Sequence, residues 1–127
     1  MKIERANVKE YPVLRLAGEL DLSSVPDVRR AIRALIDDGF VNFLINLTNL
    51  EFIDSSGLGV LVGGLARVRE KQGEIKIVCA NRRILRVFEM TRLTQLFEVY
   101  QDEESATEDF RRTNAPVHLE PPSEEAA

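Results

Sequence analysis

The residues with most chemical content form one short stretch, Asp54-Ser55-Ser56-Gly57, which closes one apolar run and opens another. A carboxylate and two hydroxyls at a strand-to-helix turn can cap the helix, by accepting hydrogen bonds from its first unpaired N–H groups. They can also present a nucleophile, but a serine nucleophile needs a base within hydrogen-bond reach. The chain has one histidine, His118, near its C-terminal end, and the turn lacks the Gly-x-Ser-x-Gly pattern of a hydrolase elbow. An enzyme is therefore not expected. Nor is a metal centre, because one cysteine, Cys79, and one histidine cannot assemble the usual zinc ligand sets. The spacing Gly57-x-Gly59-x-x-x-Gly63 resembles a loosened dinucleotide fingerprint, but no acid follows the next strand at Val78-Cys79-Ala80 and no phosphate-loop lysine is present. No cofactor is expected.

Two readings of the stretch stay open: capping, and modification of Ser55. A helix start carries roughly half a positive charge, so a phosphate on Ser55 is well placed. It brings ~1.5 to 2 negative charges, enough to disrupt a close interface beside it by repulsion and desolvation. Asp54, and Asp21 from an earlier loop, oppose that phosphate; the role they suit is to orient the serine hydroxyl or assist the modifying enzyme. The helix that follows holds Gly59, Gly63 and Gly64 in its interior, at ~1 kcal/mol each relative to alanine. Leu58, Leu61, Leu65 and Val68 form its core-facing stripe, while Gly59, Gly63 and Ala66 leave another face almost bare. That face serves either close packing within the protein or docking of a partner, and spacing alone does not separate the two.

The positioning elements are legible. Ile3 to Val8 and Pro12 to Ala17 read as an antiparallel strand pair ended by Gly18, and Val25 to Asp38 as a helix begun by Ser23-Ser24 and an early proline. Val41 to Leu47 is apolar without alternation, as expected of a strand covered on both faces. Ile75 to Val78 and Leu96 to Tyr100 are further strands, and Ile84 to Met90 a short helix. Helices between them demand parallel pairing. The fold class is α/β: a mixed sheet with parallel core strands, helices, and an N-terminal antiparallel strand. Met90 and the six phenylalanines read as core filling and Cys79 as a buried small hydrophobe. Arg82, Arg83 and Arg86 read as a solvated helix face.

The length of 127 residues suits one domain, over residues 1–112. A last helix is expected over Asp102 to Arg112, and residues 113–127 read as an acidic, disordered tail. The net charge of −4 belongs to the C-terminal end, since residues 1–100 hold 15 basic and 13 acidic residues and residues 101–127 hold 2 and 8. No basic track offers a path for phosphate backbones, so direct nucleic-acid binding is not expected. No apolar run approaches the ~20 residues of a membrane span and no signal peptide opens the chain, so a cytoplasmic protein without membrane contact is expected.

With Gly18-Glu19-Leu20-Asp21 and Asp54-Ser55-Ser56-Gly57-Leu58-Gly59-Val60-Leu61, residues 3 to 111 resemble the STAS family, and within it the stand-alone bacterial anti-sigma factor antagonists. The resemblance implies that Ser55 is a phosphoacceptor, with Ser56 the second choice and Asp21, Asp54 and Gly57 supporting the site. It implies a serine kinase that is also the anti-sigma factor as partner, bound by the unphosphorylated protein so that a sigma factor is released, and a PPM-type serine phosphatase that restores this form. Ser23, Leu58, Gly59, Val62 and Gly63 flank the same corner and are the expected partner contacts. The alternative is an unphosphorylated scaffold subunit of a stress-signalling or lipid-transport complex, which shares the fold.

Overall fold

The computed structural model describes residues 1–118. β1 (Lys2–Val8) and β2 (Tyr11–Leu20) form the expected hairpin, joined by Lys9 and Glu10, both at positive φ. Two consecutive left-handed residues make the tight turn whose twist matches that of paired strands. Helix α1 (Val25–Asp37), β3 (Asn42–Ile53), α2 (Ser55–Glu70), β4 (Glu74–Val78), α3 (Arg82–Met90), β5 (Val99–Tyr100) and α4 (Glu103–Arg112) follow. The sheet order is β1-β2-β3-β4-β5, antiparallel at the first pair and parallel at the other three. This is the mixed α/β sheet that the pattern implied.

Burial alternates as a two-sided sheet requires. Phe43, Ile45 and Leu47 of β3 and Ile75 and Ile77 of β4 pack with α1, α2 and α3 in the larger core. Leu44, Val78, Tyr11 and Val13 share a smaller core with Ala106 and Phe110 of α4. The run Phe43-Leu44-Ile45 is thus buried on both sides, and Cys79 is buried at the end of β4.

Several expectations need correction. Gly18 does not end β2; at φ +107 it sits where the β2–β3 register shifts, so it carries an irregularity inside a strand that continues to Leu20. Strand β5 is two residues, because Leu93–Gln95 forms a 3-10 turn and only Val99 and Tyr100 reach β4. Met90 is 75% exposed and Phe52 47% exposed, so neither fills the core, whereas Phe43, Phe88, Phe97 and Phe110 do. On α2 the core stripe is Gly57, Val60, Leu61, Gly64, Leu65 and Val68, with Leu58 only half-buried. The expected loose tail over 113–127 falls largely outside the described residues. Its described part lies against the sheet: Tyr11 donates to the Ala115 carbonyl (2.5 Å), Asn42 donates to that of Pro116 (2.7 Å), and His118 bridges to Phe40.

Candidate functional site

The parallel strands β2 and β3 end side by side, with Leu20 opposite Ile53. The Asp54 N–H donates to the Leu20 carbonyl at 3.2 Å, which joins the loop after β2 to the loop after β3. Gly57 makes this junction possible. A Cβ there would lie 2.7 Å from the Leu20 carbonyl oxygen and 2.8 Å from its side chain, so only glycine lets the first turn of α2 sit on the end of β2.

Each acid in this corner holds its own loop. Asp54, the N-cap of α2, accepts from the Gly57 N–H (3.0 Å) and the Ser56 hydroxyl (2.6 Å). The Ser56 hydroxyl, then the Gly57 N–H, hold its carboxyl below the usual carboxylate range. Asp21 accepts from the Ser23 hydroxyl (2.7 Å) and N–H (3.0 Å), and the hydroxyl chiefly lowers its pKa while the Asp54 charge acts in the opposite sense. Buried Ser24 donates to the Glu19 carbonyl at 2.7 Å and closes the loop. Both carboxylates are ionised at neutral pH.

Ser55 is the first residue of α2 and is exposed. Within the described residues no hydrogen bond engages its hydroxyl; the hydroxyl oriented by Asp54 is that of Ser56, not Ser55. A base is also out of reach. His118 pairs with Phe40, just before β3, while Ser55 follows its other end, and a 12-residue strand spans roughly 40 Å. A hydroxyl that no side chain of its own corner engages is open to the catalytic groups of another protein.

The surroundings are apolar. Leu22 is 76% exposed on the loop after β2, and Phe52 is exposed near the end of β3. Leu58 and Val62 of α2 are half-buried, and Ser23 is exposed. The bare helix face is resolved too: a Cβ at Gly59 or Gly63 meets nothing within 4 Å, whereas Gly64 packs on Ile32 of α1. Gly59 and Gly63 therefore do not serve internal packing. Leu22 and Phe52 were missed in the sequence. Phe52-Ile53 held the signal, since adjacent large apolar residues on a strand cannot both face one core.

A model of the STAS domain matches residues 2–106. The chain belongs to the STAS domain family. The anti-sigma-B factor antagonist of Staphylococcus aureus (strain NCTC 8325 / PS 47) is 32% identical over 104 residues, 82% of this chain and 96% of that protein. Among solved structures, an anti-sigma factor antagonist from Mycobacterium paratuberculosis superposes with a TM-score of 0.75 at 25% identity, over 87% of this chain and 93% of that one. The Bacillus cell fate determinant SpoIIAA in its phosphorylated form superposes with a TM-score of 0.66 at 26% identity, over 84% and 98%. In STAS terms, the corner built on Gly57 is the join between the second strand and the helix that follows the third. No helix of the described residues is long and apolar enough to cross a membrane.

Proposed function

We propose that this protein is a cytoplasmic, phosphorylation-switched anti-sigma factor antagonist whose phosphoacceptor is Ser55. In its unphosphorylated form it binds a serine kinase that is also an anti-sigma factor, through Leu22, Phe52, Leu58, Val62 and the open backbone at Gly59 and Gly63, with Ser23 at the rim. A sigma factor is released. The kinase then transfers a phosphoryl group to the Ser55 oxygen, and the added charge beside Asp54 and Asp21 ends the contact. A PPM-type phosphatase resets the protein.

The observation that carries this reading is an exposed, unengaged hydroxyl at the start of α2 with apolar side chains around it and no base of its own. Exposed apolar groups around a polar centre favour protein partners. The relatives named as anti-sigma-B factor antagonists and the phosphorylated form of SpoIIAA support the same reading. The test is incubation with the cognate kinase and ATP, read by intact mass and site mapping. One phosphate on Ser55, with loss of kinase binding, is expected; an unchanged mass would leave a constitutive scaffold instead.

A further inference from the structure

Helices α1 and α2 follow the parallel strands β2 and β3, so they run side by side in one direction. Arg29 and Arg33 of α1 and Arg67 of α2 rim the groove between them, and Gly59, Gly63 and Ile32 form its floor. All three arginines are exposed, and no ion pair engages them among the described residues, although the neighbouring Arg30 and Arg69 pair with Asp27 and Glu74. No acid lines the groove. Asp37 and Glu70 lie about one helical turn beyond Arg33 and Arg67, toward the C-terminal ends of both helices.

The chain carries a matching segment. His118 sits at the C-terminal end of α1, its ring edge-on to Phe40 at 5.1 Å and its Nε2 against the Asp38 carbonyl. Leu119-Glu120-Pro121-Pro122-Ser123-Glu124-Glu125 follows. From Asp38 to Arg33 is about 7.5 Å along the helix, and the six residues from His118 to Glu124 span up to about 20 Å. That span is long enough for Glu124 and Glu125 to reach past Asp37 to the arginines, whereas two residues of chain are too few for Glu120 to do so.

We propose that residues 119–127 dock within the same molecule along the α1–α2 groove, with Glu124 and Glu125 among Arg29, Arg33 and Arg67. A short tether gives an effective concentration in the mM range, so an intrinsic affinity of about 1 mM is enough to keep the segment docked much of the time. The docked segment covers the open backbone at Gly59 and Gly63, about one and two turns from Ser55, and competes with any partner that needs it. That competition rests on the function proposed above; the docking itself does not.

The test uses the full chain with a nitroxide on Ser123→Cys; buried Cys79, whose thiol pKa is raised by burial, stays unlabelled. At low salt the label is expected to broaden the amide signals of Gly59 and Gly63. The broadening should fall several-fold in the Glu124→Gln/Glu125→Gln background and at 0.5 M NaCl, where exposed ion pairs are screened. Absence of broadening, or broadening indifferent to both changes, overturns the proposal. Broadening that grows with protein concentration assigns the groove to a second copy and overturns it equally. Kinase binding indifferent to the tail, with the broadening intact, would count against the competition alone.

Discussion

Ser55 differs from every other hydroxyl in its corner. Ser23, Ser24 and Ser56 each hold a loop in place, whereas Ser55 holds nothing. Ser55→Ala is therefore expected to leave thermal unfolding within the ~0.5 kcal/mol typical of surface changes, while abolishing phosphate uptake in a kinase assay. Ser55→Asp should weaken kinase binding by about tenfold, equal to ~1.4 kcal/mol; uptake at the wild-type rate by Ser55→Ala would move the site elsewhere. Ser56 has the opposite character. Because its hydroxyl is the main cause of the lowered Asp54 pKa, Ser56→Ala should raise that pKa toward its ordinary value in an NMR titration. The sign for stability follows: a lowered folded-state pKa stabilises above the unfolded value of 3.8 and is lost as pH falls through the folded value. Ser56→Ala should thus lose stability on the neutral side and flatten the fall of stability below about pH 4, with no difference from wild type once Asp54 is protonated. The motif Asp54-Ser55 was legible in the sequence, but the division of labour between the two serines was not. It depends on which hydroxyl the carboxylate faces, and that is set by the backbone direction at Asp54, extended at φ −113 and ψ −175.

At the scale of elements, the four glycines of α2 have separate physical roles that their common spacing conceals. Gly57 touches β2, Gly64 touches α1, and Gly59 and Gly63 touch nothing. Gly57→Ala must displace Leu20 backbone and should cost 1 to 3 kcal/mol, about what overpacking costs. Gly63→Ala places a methyl in open space on an exposed helix face and should stabilise by up to ~1 kcal/mol. Melting both variants beside the wild type gives the comparison, and kinase titration the complement: Gly63→Ala should bind less tightly although it is more stable. Equal or lower stability of Gly63→Ala would mean that the bare face is covered, either within the fold or by the docked C-terminal segment. Periodicity revealed α1 and β3 because burial dictates both, through Val28, Ile32 and Leu35 in one and Phe43-Leu44-Ile45 in the other. It did not reveal the irregularity at Gly18 or the shortness of β5, because both depend on register against a neighbouring strand.

Across the whole molecule, one sheet separates two cores of unequal size, and the smaller is closed by α4 alone among the helices. Sequence composition could not reveal the closure, because it centres on a charge. Lys76 of β4 is 5% exposed, and its ammonium reaches Glu98 (2.5 Å), the Tyr100 hydroxyl (3.0 Å) and Asp109 of α4 (3.2 Å) while lying over the rings of Tyr100 and Phe110. Removing one member of a buried ion pair is costly because the other remains desolvated. Here Arg112 also pairs with Asp109, and the Glu98 side chain is 56% exposed, which lowers the penalty. Lys76→Met keeps the stem against the aromatic rings and removes only the charge, so the expected loss is about 2 kcal/mol, or roughly 6 to 8 °C in melting temperature. Both cores share β2, β3 and β4, so the loss should appear as one cooperative transition at lower temperature, seen alike by circular dichroism and by tyrosine fluorescence of Tyr11 and Tyr100. An early fluorescence transition with the helical signal intact would instead show that α4 peels away as its own unit. Lys76 pairs with Leu44 near the start of β3 and Ser55 follows its far end, so Lys76→Met protein below its melting temperature should still take up phosphate on Ser55 at the wild-type rate.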